Sequence, residues 1–292
     1  MTNYYLTQHI LKVYTTMKHL LTIAVIIIGS LCASAQDLNN SPATKDTLWI
    51  DNGSRHIFGI VSKPLFQGKK QPVAIISHGF NGTHDFGQAY FKPLNDMGYQ
   101  VYVFDFPCGS TKSLSDNNTM NMSVLDEVND LKAVTEHFRS QPDVDAAGII
   151  LIGESQGGLV SALTSAEMAK KVRATVLIYP ALCIPDNWNE RYPKEADIPD
   201  TTMMWKVPLG RRYFLEARKI DVFGTIKKYK RPVLIVQGDK DPVVSMDDSR
   251  RAVKTYTDAR LHVIPGAGHG FKPAEREEAT EQIRKFLKEI GK

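Results

Sequence analysis

Cysteine, clustered basic charge and long apolar runs are all scarce in this sequence. Three cysteines among 292 residues are too few for a disulfide scaffold. The net charge is only +4, and no run of Lys and Arg with interleaved aromatics suggests nucleic-acid binding. The apolar run at 20–28 is shorter than the about 20 residues that a membrane span needs. What is left is a globular composition, 42% hydrophobic and 23% charged, in one domain with an insertion or in two domains.

The N-terminus has the pattern of an export signal. Lys18 precedes the apolar run, and the small-residue triplet Ala-Ser-Ala follows at 33–35. A basic segment, a short apolar segment and an A-x-A site are typical of a secretory signal peptide. We therefore predict a signal peptide over 1–35, a mature start at Gln36 and a secreted or periplasmic enzyme with no stable membrane span after cleavage.

Two alternatives concern the same segment. The true start is either Met1 or Met17, since Met17 stands directly before the basic residue of the signal. A lipoprotein anchored through Cys32 is the weaker hypothesis, because Leu31 rather than a small residue precedes that cysteine. We favour the exported enzyme.

The most informative motif is Gly-Glu-Ser-Gln-Gly-Gly at 153–158. An apolar run at 149–152 precedes it, and a segment of small residues with Leu and Met follows at 159–169. A strand, a tight turn with Ser155 at its tip and then a helix are the context of a nucleophile elbow. The alternative is a glycine-rich connection without chemistry. A phosphate-binding loop fits poorly, because no Gly-Lys-Ser/Thr closes the motif.

The rest of the chain alternates short apolar runs with amphipathic segments. Asn52-Gly53 lies between two strand-like segments and predicts a hairpin. Further buried strands are predicted at 72–77, 99–106, 147–152, 174–179, 231–237 and 259–264. Strands that alternate with helices predict an α/β fold with a mostly parallel sheet flanked by helices.

Residues 183–228 separate two strand signals and are too many for a connecting loop. Aromatic residues occur there among prolines and charges. We predict an inserted cap over the carboxyl edge of the sheet, with 36–182 and 229–292 forming the core. Most of the aromatics should form the small core of the cap, and one or two should line an acyl pocket.

A serine hydroxyl needs a base to remove its proton and a carboxylate to orient that base. Asp239, Asp241 and His269 each follow a predicted strand downstream of Ser155. Loops after parallel strands share one edge of the sheet, so Ser155, Asp241 and His269 should converge there. Asp239 and Asp241 compete for the orienting role, and we favour Asp241 from its Gly-x-x-Asp spacing.

Two backbone N–H groups are needed to bind an oxyanion. Gln156 follows the nucleophile and supplies one. The loop after an earlier strand contains His78, Gly79 and Phe80, which makes the Phe80 N–H the second candidate. We expect His78 to form hydrogen bonds within this loop rather than to act as a second base.

From Leu48 to the C-terminus these motifs together resemble the α/β-hydrolase superfamily, and its cinnamoyl/feruloyl esterase branch in particular. They are His-Gly-Phe-Asn-Gly at 78–82, Gly-x-Ser-Gln-Gly-Gly at 153–158, Gly-x-x-Asp at 238–241 and Gly-x-Gly-His-Gly-Phe at 266–271. The resemblance implies an eight-stranded sheet with a cap between the sixth and seventh strands. It also implies Ser155 as nucleophile, His269 as base, Asp241 as orienting acid, and Phe80 and Gln156 as oxyanion donors.

The chain departs from that branch at two places. Glu154 precedes the nucleophile where the branch usually has His, which weakens the assignment to the subgroup but not to the superfamily. The segment at 105–110 begins like the branch and then loses its glycine pattern. In the superfamily's strand order Cys108 and Cys183 lie three strands apart, about 14 Å at the usual strand spacing. A disulfide needs Cα atoms within about 7 Å, so we predict free thiols.

Our hypothesis is a serine esterase that forms an acyl-enzyme and uses neither metal nor cofactor. The resemblance implies a carboxylic ester with an aromatic acyl group, either a small molecule or one linked to a polysaccharide. A serine peptidase or aminoacyl hydrolase on the same scaffold is the near alternative, although the oligopeptidase form usually carries a large N-terminal propeller. A binding protein on an inactive hydrolase scaffold is the alternative from another class. The sequence does not indicate an oligomeric state.

Overall fold

The structure is a computed structural model that describes residues 43–65 and 68–291. The predicted signal peptide at 1–35 lies outside the described residues. Within the described part, no helix has both the length and the apolar composition that crossing a membrane requires.

Ten strands are present in the described residues, and eight of them form one sheet. In chain order they are β1 (Thr44–Asn52), β2 (Arg55–Lys63), β3 (Gln71–Ser77), β4 (Gln100–Phe104), β5 (Val144–Glu154), β6 (Ala174–Ile178), β7 (Thr201–Met204), β8 (Val207–Gly210), β9 (Val233–Gly238) and β10 (Ala259–Ile264). The sheet has the order β1-β2-β4-β3-β5-β6-β9-β10, and β7 and β8 form a separate hairpin. β2 is antiparallel to β1 and β4, and the other neighbours are parallel. The mostly parallel eight-stranded sheet is confirmed.

Helices cover both faces of the sheet. They are α1 (Phe91–Asn95), α2 (Val124–Arg139), α3 (Ser155–Glu167), α4 (Ile184–Arg191), α5 (Arg211–Ala217), α6 (Val222–Ile226), α7 (Met246–Thr255) and α8 (Pro273–Ile290). Because successive strand residues point to opposite faces, β5 supplies two cores: Leu151 joins α2 and α3, and Ile150 joins α1 and α8. Each such buried aliphatic side chain is worth roughly 1.5–3 kcal/mol relative to exposure.

Ser123 with Asp126 three residues on predicts a helix that begins at a capping box, and helix α2 does have Ser123 as its cap. The Ser123 hydroxyl accepts a hydrogen bond from the Asp126 N–H at 3.2 Å. The expected reciprocal bond, in which the Ser123 N–H would donate to the Asp126 carboxylate, is not formed, because both carboxylate oxygens accept hydrogen bonds from Arg212 of α5 at 2.8 and 3.0 Å. The start of α2 is thereby tied to residues of the predicted insertion.

Residues 183–228 contain α4, the β7–β8 hairpin, α5 and α6. Four of their aromatic side chains are buried and pack edge to face on one another: Trp188, Tyr192, Tyr213 and Phe214. Trp205 differs from them, since it lies at the hairpin turn, is 67% exposed and packs edge to face on Phe80 at 5.7 Å between ring centroids.

The two cysteines of the described residues are free and buried. Cys108 follows β4 and Cys183 follows β6, and β3 and β5 lie between these strands in the sheet. Burial raises the pKa of both thiols to about 11. The prediction of free thiols is confirmed, and neither thiol is set up to react.

Gly59 of β2 provides a test of how the sheet is packed. A Cβ at this position would lie 2.3 Å from the buried ring of Tyr102, which stacks on Phe104 and cannot withdraw. Gly59→Ala should therefore lower the free energy of unfolding by about 1–3 kcal/mol, as overpacking does. The exposed substitution Thr47→Ala on β1 should stay within about 0.5 kcal/mol of wild type in the same urea titration. Equal stability of the two variants would contradict this packing.

Candidate active site

Ser155 lies on the sharp turn between β5 and α3. Its φ of 49° is in the left-handed region, which costs a non-glycine residue energy and exposes the hydroxyl at the end of the strand. The glycines around it leave no room for side chains. A Cβ on Gly157 would lie 2.4 Å from the carbonyl oxygen of His78, and one on Gly153 would lie 2.1 Å from that of Gly157. The motif therefore folds as the elbow that its spacing predicts.

The structure brings two side chains from distant loops to this hydroxyl. His269 follows β10, and its Nε2 lies 3.0 Å from Ser155 Oγ. Asp241 follows β9, and its Oδ2 lies 2.8 Å from His269 Nδ1. An ionised Asp241 can only accept a hydrogen bond, so Nδ1 of His269 carries the ring proton and Nε2 is free to accept the proton of the serine hydroxyl. This is the arrangement in which an imidazole can act as a general base.

The environment of Asp241 keeps it ionised. Burial opposes its charge, but hydrogen bonds from His269 and from the N–H groups of Val244 and Val243 outweigh this and lower the pKa of Asp241. Asp239 has a different role: its Oδ1 accepts the Gly266 N–H at 2.6 Å and thereby joins the two loops. Of the two competing carboxylates, Asp241 is the one in contact with the imidazole.

The loop that holds Phe80, one of the two candidate oxyanion residues, lies against the nucleophile. A Cβ on Gly79 would be 3.0 Å from Ser155 Cβ, so the backbone leading to Phe80 passes directly beside the serine. His78 holds the loop in place, with Nδ1 donating to the Gly79 carbonyl at 2.7 Å and Nε2 accepting the Phe106 N–H at 3.1 Å. Burial lowers the pKa of His78, which favours the neutral ring that these two bonds require. Its expected role inside the loop is confirmed.

The segment at 105–110, whose glycine pattern departs from the feruloyl esterase branch, packs on the same loop. The Asn81 N–H donates to the Gly109 carbonyl at 3.0 Å. Asp105 is fully buried and accepts hydrogen bonds from the backbone N–H and the ring of His84 at 2.6 and 2.8 Å. Cys108 takes up the turn with a φ of 63°. The loop is therefore fixed by polar contacts in place of glycines.

Glu154 and Tyr179 form a contact that sequence reasoning missed. The Tyr179 hydroxyl donates to Glu154, and the Gly79 N–H donates to the same carboxyl group at 3.4 Å. Burial raises the pKa of Glu154 to about 7, although both hydrogen bonds favour its ionised form. The Tyr179 ring also packs against the His269 ring at 4.9 Å. The only sequence signal for Tyr179 is its position directly after β6, at the same edge of the sheet.

Glu127 of α2 and Tyr213 of α5 were also missed. Both surround the Gln156 side chain, with Gln156 Nε2 at 2.9 Å from the Glu127 oxygens and the Tyr213 hydroxyl at 2.7 Å from Gln156 Oε1. Burial raises the pKa of Glu127 to about 8, the hydrogen bond from Gln156 opposes this rise and nearby Asp130 adds to it. A glutamate in the first turn of a helix gives no sequence signal that it is buried.

The sheet, the elbow after its fifth strand and the three converging loops define an α/β hydrolase. The model of the prolyl oligopeptidase family matches residues 84–292, and the chain therefore belongs to this family.

The solved structures agree with the α/β-hydrolase fold. The chain is similar to Est1E of Butyrivibrio proteoclasticus, solved with ferulic acid bound, at 28% identity and a TM-score of 0.77 over 84% of this chain and 100% of that one. An esterase of Pyrococcus furiosus has the same fold at 20% identity, with a TM-score of 0.63 over 87% and 93% of the two chains. The resemblance to α/β hydrolases of the feruloyl esterase type is confirmed.

The relatives that are similar in sequence include the following two. An uncharacterized Mycobacterium tuberculosis protein, Rv2307c, is 25% identical over 78% of this chain and 74% of its own. The non-heme chloroperoxidase CPO-A1 of Kitasatospora aureofaciens is 24% identical over 75% of this chain and 93% of its own. Together with the family, the neighbours support hydrolysis as the activity and ester hydrolysis as its general form.

The buried carboxyl of Glu127 should make stability depend on pH. Its pKa of about 8 in the folded protein lies above the ordinary value of 4.5, so the folded state binds this proton more tightly. The resulting stabilisation is complete below the ordinary pKa and is lost as the pH rises through the folded pKa. Relative to Glu127→Gln, the wild-type melting temperature should fall between about pH 5 and pH 9. Glu190→Gln changes an exposed glutamate and keeps Glu127, so its melting temperature should follow the wild-type pH curve. Parallel curves for wild type and Glu127→Gln would contradict the assignment.

Proposed function

We propose that this chain is an exported serine esterase that cleaves carboxylic esters through an acyl-enzyme. The observation that carries the proposal is the continuous hydrogen-bonded series from Asp241 through His269 to Ser155, with 2.8 Å and 3.0 Å between the bonded atoms. A base within hydrogen-bond reach of the nucleophile, oriented by a buried carboxylate, is what nucleophilic acyl transfer requires. The family and its esterase neighbours support the same reaction class.

The first half of the reaction transfers the acyl group to the enzyme. His269 Nε2 takes the Ser155 proton as Oγ attacks the ester carbonyl carbon, and Asp241 stabilises the imidazolium that forms. The negative charge on the tetrahedral oxygen is held by the Phe80 and Gln156 N–H groups. The first turn of α3 adds the positive end of its helix dipole at this point.

The second half returns the enzyme to its starting state. The imidazolium gives its proton to the leaving alkoxide, and the alcohol departs. Water then gives a proton to His269 and attacks the Ser155 ester, and collapse of the second tetrahedral intermediate releases the acid and restores the serine hydroxyl. Every proton taken by His269 is returned, so the reaction needs only the ester and water.

An aromatic acyl group is the substrate class that we propose, free or linked to a polysaccharide. The similar Est1E was solved with ferulic acid bound. Residues 183–228 would act as a cap, supported by the contact of Trp205 with Phe80 at 5.7 Å between ring centroids. An exposed indole beside a candidate oxyanion residue offers a flat surface on which an aromatic ring can stack. A higher kcat/KM for methyl ferulate than for methyl acetate would support this specificity.

Peptide or aminoacyl hydrolysis is the second candidate, favoured by membership of the prolyl oligopeptidase family. The acyl chemistry is identical, so the pocket alone separates the two activities. Comparing an aminoacyl p-nitroanilide with the matching p-nitrophenyl ester decides between them. Binding without turnover on either substrate would instead support a non-catalytic scaffold.

Single substitutions test the assigned roles. Ser155→Ala should lower kcat on p-nitrophenyl acetate by roughly 10⁴- to 10⁶-fold, because the nucleophile is lost. Asp241→Asn should cost about 10⁴-fold, since the amide favours the wrong imidazole tautomer. Asp239→Asn is the matched control, and it should retain most of kcat because Asp239 contacts a backbone N–H rather than the imidazole. A wild-type rate in Ser155→Ala would refute the reaction.

Export is tested on the mature N-terminus. Expressed from its own start in a Gram-negative host, the protein should leave the cytoplasm and begin at Gln36, because the small residues at 33–35 fit a signal-peptidase site. Intact-mass measurement of the periplasmic fraction checks this. A cytoplasmic protein that begins at Met1 or Met17, with no shorter form, would contradict the proposed localisation.

A further inference from the structure

The proposed role of Gln156 in binding the oxyanion needs only its backbone N–H, yet its side chain also makes buried polar contacts. Its side chain is 2% exposed and lies between Glu127 of α2 and Tyr213 of α5, which are 2% and 1% exposed. The three residues come from three separate helices and meet at the Gln156 side chain, next to the nucleophile in the chain. A buried polar cluster of this kind is costly unless every member is hydrogen-bonded.

The partners fix the orientation of the Gln156 amide. The Tyr213 hydroxyl donates to Oε1 at 2.7 Å, and Nε2 donates to both oxygens of Glu127 at 2.9 Å. A carboxyl group retains an acceptor oxygen whether it is ionised or protonated, so Glu127 can hold Nε2 in either state. The amide is therefore fixed at both of its ends.

We propose that Glu127 and Tyr213 are positioning residues that act through Gln156 on the oxyanion site. Ser155 stands in a strained conformation, and the Gln156 N–H follows it at once in the chain. Holding the Gln156 side chain at both ends keeps the first turn of α3 in the conformation in which this N–H faces the developing oxyanion. This inference rests on the proposed function, because it explains how the Gln156 N–H, one of the two oxyanion donors of the proposed reaction, is held in position.

Tyr213 makes the oxyanion site depend on the inserted residues. Helix α5 is tied to the start of α2 by two polar contacts: Arg212 with the Asp126 carboxylate at 2.8 and 3.0 Å, and the Ser123 hydroxyl with Glu216 at 2.5 Å. These contacts hold Tyr213 against the Gln156 side chain. Residues 183–228 would then contribute to catalysis through Gln156 as well as through the substrate pocket.

The test compares matched losses of one hydroxyl group. Tyr213→Phe removes the donor to Gln156 Oε1 and keeps the ring. Tyr229→Phe is the control, because Tyr229 is also fully buried and donates to the Val172 carbonyl at 3.2 Å, outside the described site. Glu127→Leu removes the acceptor for Nε2, and Glu127→Gln keeps one. Kinetics with p-nitrophenyl acetate, inhibition by phenylboronic acid and the melting temperature are measured for each.

We expect Tyr213→Phe and Glu127→Leu to lower kcat about tenfold or more with little change in KM, which is less than the roughly 100- to 1,000-fold loss of a whole oxyanion donor. Affinity for phenylboronic acid, whose tetrahedral adduct places an oxygen at the oxyanion site, should fall in parallel. Glu127→Gln should recover most of the kcat that Glu127→Leu loses. Tyr229→Phe should lower the melting temperature comparably and leave kcat and boronate affinity near wild type.

Three results would overturn the inference: a wild-type kcat in Tyr213→Phe, a loss confined to KM, or an equal loss in Tyr229→Phe. If Tyr213→Phe does not fold, the comparison of Glu127→Leu with Glu127→Gln gives the same decision. Ser155→Ala separates this inference from the proposed function. If Ser155→Ala is inactive and Tyr213→Phe is fully active, only the positioning role is refuted. If Ser155→Ala is active, the positioning role and the proposed function are both refuted.

Discussion

The contact between His269 Nε2 and Ser155 Oγ, at 3.0 Å, spans 114 residues of sequence, and the surrounding structure makes it possible. Parallel strands bring the loops after β5, β9 and β10 to one edge of the sheet. Close packing by Gly153 and Gly157 keeps the serine at the end of its strand in a strained conformation. Asp241 sets the imidazole tautomer from the other side. If any one of these three features is lost, the Ser155 hydroxyl has only the low reactivity of an ordinary serine.

Much of this arrangement is predictable from the sequence because it depends on local patterns. Apolar runs, the spacing of Gly-x-Ser-x-Gly and the positions of Asp241 and His269 directly after strands are sufficient to predict the sheet and the convergence of its loops. The choice between Asp239 and Asp241 is harder, because both belong to one turn. Its backbone geometry decides which carboxylate meets the imidazole and which meets the Gly266 N–H.

The contacts around the elbow are not predictable in this way. Glu127 lies 29 residues and Tyr213 57 residues from Gln156. The sequence favours a buried ring for Tyr213, as for most aromatics of 183–228, but only tertiary packing reveals that Glu127 is buried and that both side chains meet Gln156. The reciprocal cap expected at Asp126 fails for the same reason, since Arg212 of a distant helix competes for its carboxylate. Contacts between buried polar groups are thus the part of the site that sequence patterns do not predict.

Two carboxyl groups, the buried Glu127 and the half-buried Glu154, connect the elbow to its surroundings in different directions. Glu154 joins the Gly79 N–H to Tyr179, which packs on His269, and Glu127 joins Gln156 to the polar contacts of α2. A buried carboxyl group destabilises a fold unless it is well hydrogen-bonded, and both are. Their hydrogen bonds are consistent with a site in which geometry is held by polar contacts rather than by apolar packing alone.

The most direct measurement of the central claim is peptide mapping after treatment with a fluorophosphonate, which reacts with a serine hydroxyl only when a neighbouring base activates it. The account predicts one adduct per chain, located on Ser155, and a greatly slowed reaction in His269→Ala. An unlabelled wild-type protein, a label on another residue, or equal labelling in His269→Ala would contradict it.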